Sequence, residues 1–146
     1  MFIAILEKIL TTLTGISDFK TVDIWQGDVK ELLDTVQKFP SAHVLFSGGD
    51  FDPARAMGSS SFPQDLTWTV IVITENRRDR SSGARDTLKL LATVINPAVP
   101  TDPAVTPGLT RLNTGYGLLW PATVQFLACE NGKTAYGFKF SVKYNH

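Results

Sequence analysis

The feature that most limits the fold of this chain is a run of four β-branched residues near its middle, from Val70 to Ile73. Such residues favour extended backbone, and an unbroken apolar run leaves neither side of a strand suited to water. We therefore predict a strand over residues 66–74 that is central in a sheet and buried on both faces. The rest of the chain has to supply its cover.

The last part of the sequence predicts a β-hairpin. Asn131-Gly132 is a strong two-residue turn signal between predicted strands over 123–130 and 134–144. Large apolar side chains alternate with small or polar ones in the second of these strands, at Tyr136, Phe138, Phe140, Val142 and Tyr144. That alternation predicts one face on the core and one face in water.

Three helices are predicted from apolar residues that recur at helical spacing. The first spans 2–13 and stops near Gly15, and the second begins at Asp28 as the capping residue and ends before Pro40. The third spans about 82–95. Its predicted inner face is made by Leu88, Leu91 and Ile95, with Ala84 and Ala92 beside them.

Three stretches carry turn and breaker residues. Residues 50–64 hold prolines, glycine and three consecutive serines, which predicts a mobile surface loop. Residues 97–108 hold four prolines and predict a stiff, extended connector. Two glycines within 109–119 predict a broken or bulged strand there.

Together these elements predict an α+β fold. Two further short strands, over 20–25 and 42–46, join the central strand and the hairpin in a mostly antiparallel β-sheet, with two or three helices packed on one face. A length of 146 residues with 43% hydrophobic and 19% charged residues suits a single domain over 1–146 with one core. Trp68 and Trp120 are predicted to lie in that core, and Trp25 at the surface.

Composition argues against several classes of function. The formal net charge is zero, so long-range attraction to nucleic acid or to an anionic membrane is not expected. No apolar run is long enough to cross a bilayer, and the N-terminus lacks a basic leader and a cleavage site, so we expect a protein without a signal peptide. The single cysteine, Cys129, forms no disulfide within the chain and is interpreted as an inert packing thiol.

The search for catalytic or cofactor chemistry finds little. The two histidines lack partners at metal-ligand spacing, and His43 is interpreted as a buried or interface residue. The glycines at 48–49 lack the Gly-Lys-Ser/Thr of a phosphate loop, and no nucleophile elbow is present. We therefore expect no cofactor, no metal and no enzymatic activity. An enzyme of unrecognised kind, with His43, Asp50 and Asp52 near one cleft, stays open as an alternative.

The most distinctive local feature is Arg77-Arg78-Asp79-Arg80, followed by Arg85. Arginines can grip phosphates, so a small nucleic-acid-binding module is one interpretation. Aromatic residues that would stack bases are missing from this stretch, which favours a solvated loop. Contact with an acidic surface of another protein is the third interpretation.

Four segments of the chain resemble, in order, the small tail-terminator (head–tail joining) proteins of Mu-like contractile-tailed bacteriophages. Residues 1–7, MFIAILE, are similar to the family's opening helix, and residues 70–78, VIVITENRR, to its central strand with a polar exit. Residues 83–91, GARDTLKLL, look like the helix that follows, and residues 138–144, FKFSVKY, like the closing strand.

The resemblance implies a structural virion protein at the head-proximal end of the tail, assembled in the host cytoplasm. Copies of the chain would form a ring, by the resemblance a hexamer, that caps the tail tube protein and stops its polymerisation. The ring would offer a docking surface to the head–tail connector, with the sheath as a further partner. No membrane and no specific nucleic acid are implied. Another neck or tail completion protein of similar fold is the alternative. The expected contact residues are Asp50, Phe51, Asp52, Arg77, Arg78, Arg80 and Arg85.

Overall fold

The computed structural model describes residues 2–34, 38–51, 64–75, 80–130 and 132–143. Its elements are, in chain order, α1 (Phe2–Thr14), β1 (Thr21–Ile24), α2 (Val29–Asp34), β2 (Ser41–Phe51), β3 (Gln64–Glu75), α3 (Arg80–Ile95), β4 (Leu118–Glu130) and β5 (Lys133–Lys143). The fold is α+β, as the sequence predicts.

The five strands form one sheet in the order β1-β2-β3-β5-β4. All neighbours are antiparallel except β1 and β2, which are parallel. The predicted central position of β3 is confirmed, and so is the hairpin, because Glu130 of β4 pairs with Lys133 of β5 across a two-residue turn. Among the described strands, β1 and β4 form the two edges of the sheet.

One face of the sheet, called here the first face, carries the larger part of the core. The helices α1 and α3 pack on it with their inner side chains, which are Ile5, Ile9, Leu13, Leu90, Leu91 and Val94. They meet the alternate residues of the strands, among them Val44, Val70, Val72, Phe138 and Phe140. The alternation predicted for β5 is therefore confirmed for 136–142, while Tyr144 lies outside the described residues.

The opposite, second face is covered by α2, so the expectation that all helices pack on one face is wrong. Leu32 and Leu33 of α2 are buried against Ile71 and Ile73 of β3 and against Ala135. The physical reason lies in β3 itself, whose consecutive apolar residues present two of their number to each side and need cover on both.

Two polar contacts fix α2 to its place. The side chain of Asp28 caps the helix, since its Oδ1 accepts a hydrogen bond of 3.0 Å from the backbone N–H of Lys30. At the other end Lys133 Nζ donates to the carbonyl of Leu33 over 2.7 Å and lies 5.3 Å from the ring centroid of Phe39. The cap is the one predicted from the sequence.

The inner face predicted for α3 is wrong by about one residue. Thr87, Leu90, Leu91 and Val94 are the buried residues, whereas Leu88 is 58% exposed. The outer group also includes Ile95, Ala84 and Ala92. The apolar residues form two overlapping stripes that share Leu91, and helical spacing alone does not choose between them. The Thr87 hydroxyl lies 2.6 Å from that of Thr74 on β3, which turns the helix toward the second stripe.

The strands β2 and β3 are longer than predicted, and the loop between them is correspondingly shorter. Residues 50 and 51 belong to β2 and residue 64 to β3, while 52–63 lie outside the described residues. Gly48 and Gly49, which follow the predicted strand over 42–46, continue it after a bulge between Phe46 and Gly48, and the φ of Gly48 is +130°. At Gly49 a Cβ would come within 2.7 Å of the Asp65 carbonyl, so the close approach of β3 requires glycine.

The segment 97–108 is not the extended connector that its prolines predicted. It closes on itself, because Gly108 N–H donates to the carbonyl of Pro97 over 3.1 Å and Asn96 Nδ2 donates to that of Thr106 over 3.3 Å. A Cβ on Gly108 would lie 2.5 to 2.7 Å from three carbonyl oxygens at the end of α3. A buried glycine and hydrogen bonds between the loop's ends, which composition does not reveal, thus decide its shape.

Candidate functional site

The residues predicted to make assembly contacts fall into two separate groups. Asp50 and Phe51 lie at the end of β2, opposite Asp65 and Gln64, at the beginning of β3. Asp52 lies outside the described residues. This group therefore sits where β2 leads into the segment 52–63.

The arginine group follows the other end of β3. Arg77 and Arg78 lie outside the described residues, Arg80 is the first residue of α3, and Arg85 is exposed on that helix. Since β3 has 12 residues, its two ends are about 37 Å apart. The structure does not bring the two groups together, and their role in assembly stays a prediction.

His43 lies on β2 and is buried, as one of the two interpretations of this residue expected. Its Nε2 is 3.1 Å from Ser41 Oγ, and Asp23 of β1 is its register partner. Asp23 Oδ1 accepts the N–H of Ile24, and His43 Nδ1 has no hydrogen-bond partner among the described residues. A serine–histidine–aspartate triad needs the acid on the second ring nitrogen and an accessible serine, whereas Ser41 is fully buried.

Asp50 does not lie near His43, as the enzyme alternative would require. Asp50 is seven residues further along β2, and Asp52 lies outside the described residues. Within the ranges that the structure describes, no three His, Cys, Asp or Glu side chains are grouped to hold a metal ion.

A cleft of about 980 Å³ lies between the segment after α1 and one flank of α3. Its charged lining residues are Asp18, Lys20, Lys38, Glu75, Asp86 and Lys89. All six side chains are exposed, and the acids and bases balance. The cleft thus selects no charge class of ligand.

Two residues predicted for the interior lie on the edge strand β4 and are exposed instead. Trp120 is 38% exposed and Cys129 is exposed, so their interpretation as core residues is wrong, whereas Trp68 is buried as predicted. Trp25, expected at the surface, is partly buried against the α2 cluster. Because β4 has a neighbouring strand on one side only, its side chains are covered only where another element packs on them, as at the buried Leu119.

A row of apolar side chains crosses all five strands on the first face, and both of its ends are exposed to solvent. Backbone register aligns it as Ile24, Val44, Val70, Phe138 and Val124. The three inner members are at most 3% exposed, while Ile24 is 52% and Val124 is 56% exposed. The row is therefore buried in its middle and open at both edges of the sheet.

Each open end is widened by aromatic neighbours. At one edge the tilted rings of Phe2 and Phe46 are in contact, with their centroids 5.2 Å apart. Phe46 lies on the same face of the sheet as Ile24. Phe2, Phe46 and Ile24 are called the β1 patch. At the other edge Phe126, 53% exposed, packs edge-on against Tyr136 beside Val124; Val124 and Phe126 are called the β4 patch.

Apolar patches at unpaired strand edges are surfaces for contact with other chains. The sequence analysis missed them because each strand was interpreted on its own. One signal was available: residues 118–129 contain no Asp, Glu, Lys, Arg or His, although a solvated edge strand is usually charged. Which strand would form the edge depends on the sheet order, and the sequence pattern does not fix it.

Comparisons with known proteins add little. No protein-family model matches the chain, and no curated protein matches it. The chain is similar to one in a solved structure described as the virion of a native gene transfer agent particle, with 9% identity, a TM-score of 0.43, and coverage of 97% of this chain and 92% of that one. A TM-score below 0.5 at this identity says nothing about what the chain does. None of the described helices is long and apolar enough to span a bilayer.

Proposed function

We propose that this chain is a structural protein of a phage-like virion and acts as a tail terminator. Copies of it form a ring of six subunits on the head-proximal end of the tail tube. The ring stops the polymerisation of the tube protein and offers its other side to the head–tail connector. In a contractile tail the sheath is a further neighbour.

The observation that carries the proposal is the apolar row that is open at both edges of the sheet. Two different patches on opposite edges of one subunit suit a heterologous contact, in which unlike surfaces of successive copies meet. A heterologous contact with the right rotation closes into a ring. A monomeric binding module has no need of apolar surface at both edges.

The segments that resemble the tail-terminator family give further support. Residues 2–7 lie in α1, residues 70–75 in β3, residues 83–91 in α3 and residues 138–143 in β5. All four lie in elements that contribute to the hydrophobic core, so the resemblance concerns the architecture of the chain. The contact roles of the Asp50–Asp52 and Arg77–Arg85 groups are part of this proposal.

The test is tube growth in the presence of the chain. Tail tube protein from the same phage or prophage is polymerised with and without it, and tube lengths are measured by negative-stain electron microscopy. We expect shorter tubes whose ends carry a ring, at one ring of subunits per tube. Unlimited tubes with free subunits in the background would contradict a terminator.

The arginine group is tested with the triple variant Arg77→Ala, Arg78→Ala and Arg80→Ala. A matched control removes the same charge elsewhere, through Lys8→Ala, Lys30→Ala and Lys139→Ala, all at exposed positions. We expect the arginine variant to cap tubes less well than the control at equal folding. Salt-sensitive DNA binding by the wild type, lost only in the arginine variant, would instead favour the nucleic-acid module.

A further inference from the structure

We propose that successive copies dock edge to edge, with β4 of one copy against β1 of the next. The apolar row that ends at Val124 then continues into Ile24 of the neighbouring copy. This inference rests on the proposed ring and names the two surfaces that build it. It makes the first face a continuous apolar layer around the ring.

Strand directions fit this contact. In the sheet, β1 and β2 run the same way, β3 runs opposite to β2, β5 opposite to β3, and β4 opposite to β5. Therefore β4 runs opposite to β1. When a second copy is placed beside the first with its sheet facing the same way, the two edges meet antiparallel, which is the more stable strand pairing.

The two edges differ in how they are protected. β1 has only four residues and carries the charge of Asp23, which limits what can pair with it. β4 has 13 residues, and its protection consists of Pro121 and two bulges, between 121 and 123 and between 126 and 128. The stretch from Thr123 to Phe126 between the bulges is regular, and its four residues match the length of β1.

Charge identifies the occupant as another copy of this chain. The β4 strand from 118 to 129 has no acidic or basic side chain, so it offers nothing to nucleic acid, an anionic membrane or a charged peptide. Its complement is a short, mostly apolar strand. The formal net charge of zero means that copies of the chain do not repel one another at long range.

The size of the patches predicts a weak contact that needs a closed ring. The exposed parts of Val124 and Phe126 amount to roughly 150 Å² on the scale of buried aromatic side chains. A stable pairwise interface buries about 800 Å² on each partner. A single contact of this kind is therefore transient, whereas each subunit of a closed ring makes two and is held by both.

The experiment uses one charged substitution at each edge. Val124→Asp disables the β4 edge, and Ile24→Asp disables the β1 edge. Gln125→Asp is the matched control, because it adds the same charge to β4 on the opposite face of the sheet. Mass is measured by sedimentation velocity over a range of concentrations, alone and with tail tube protein, after urea unfolding has shown that each variant folds.

Head-to-tail docking predicts a specific pattern. Each edge variant alone loses ring formation, with association weakened at least tenfold, while Gln125→Asp assembles as the wild type does. Mixed together at high concentration, Val124→Asp and Ile24→Asp give a transient one-to-one pair that neither variant forms alone, since one intact β4 edge still meets one intact β1 edge. A two-fold contact between β4 strands predicts instead that Ile24→Asp assembles alone and that mixing rescues nothing.

Three outcomes overturn the inference or its premise, and they can be told apart. If the wild type forms rings and both edge variants do too, the docking surfaces lie elsewhere and the proposed function stands. If only Val124→Asp fails, the contact is two-fold. If the wild type neither assembles nor caps tubes, the proposed function fails and this inference with it. Should Val124→Asp unfold, Val124→Thr keeps the branched shape and tests the same edge with a smaller expected loss.

Discussion

The two faces of the sheet are formed by the same five strands, but they differ in how completely helices cover their apolar side chains. The first face is apolar from edge to edge, and α1 and α3 cover its middle. On the second face α2 covers the apolar residues around Ile71 and Ile73, while Trp120 of β4 lies exposed on the same face. Further along the same strands it carries Thr67 and the exposed Lys139, with no described helix over them.

The difference shows which part of this molecule needs a partner. Polar side chains on one face of a sheet are stable in contact with water. The polar part of the second face therefore needs no covering chain. On the first face, apolar side chains at the sheet edges lie beyond the area that α1 and α3 cover. Contact with a neighbouring chain would bury them. The proposed assembly would therefore complete the first face, whereas the polar part of the second face is hydrated in the monomer.

The largest expected effect is on the first face. Phe140 of β5 is fully buried in a row between Trp68 and Pro121. Phe140→Ala should lower the free energy of unfolding by about 3–5 kcal/mol, through lost burial and the cavity left behind. Urea unfolding followed by tryptophan fluorescence measures it.

Lys139→Ala is the control for this substitution, because Lys139 is exposed on the other face of the same strand. It should change stability by less than about 0.5 kcal/mol. A Phe140→Ala cost near that of the control would mean that the first face is not the main core.

The elements that the sequence predicts well are those whose own pattern leaves one choice. The apolar run of β3 fixes a buried central strand, and the alternation around Phe138 and Phe140, with the turn at 131–132, fixes the hairpin. The cap at Asp28 is equally local, since donor and acceptor are two residues apart. In these cases the determining contacts are encoded within a few residues.

The elements that the sequence predicts poorly depend on partners far along the chain. The face of α3 is chosen by Thr74, 13 residues away, and Gly49 continues a strand because β3 passes close to it. The exposure of Trp120 and Cys129 follows from strand order, which places β4 at an edge. The open ends of the apolar row were missed for the same reason.

A smaller effect is expected on the second face. Leu33 of α2 is buried against β3, but its helix has only six residues and covers half a face. Leu33→Ala should lower the free energy of unfolding by about 2–3 kcal/mol. Hydrogen exchange should speed up first in α2, while β3 stays protected. The exposed Lys30→Ala is the control, and a loss equal to that of Phe140→Ala would show that the two faces contribute alike.

The smallest expected effect is a pH dependence of the free energy of unfolding that comes from His43, on the second face. Burial lowers the pKa of His43, against the opposing but smaller effect of the Asp23 carboxylate, which raises it. The unfolded chain, with a histidine pKa of about 6.5, then binds a proton more readily than the folded protein. Stability is therefore complete above about pH 6.5 and is lost as the pH falls from there toward the lowered pKa of the folded state.

His43→Gln isolates this contribution, because glutamine keeps a polar side chain beside Ser41 and does not titrate. Urea unfolding at pH 7.5 and pH 5.5 should show a fall in stability for the wild type that is larger than the fall for the variant. The first-face variant Phe140→Ala should retain the wild-type pH dependence, since its site contains no titrating group. An equal fall with and without His43 would mean that acid acts on this sheet through its carboxylates and that both faces respond to pH alike.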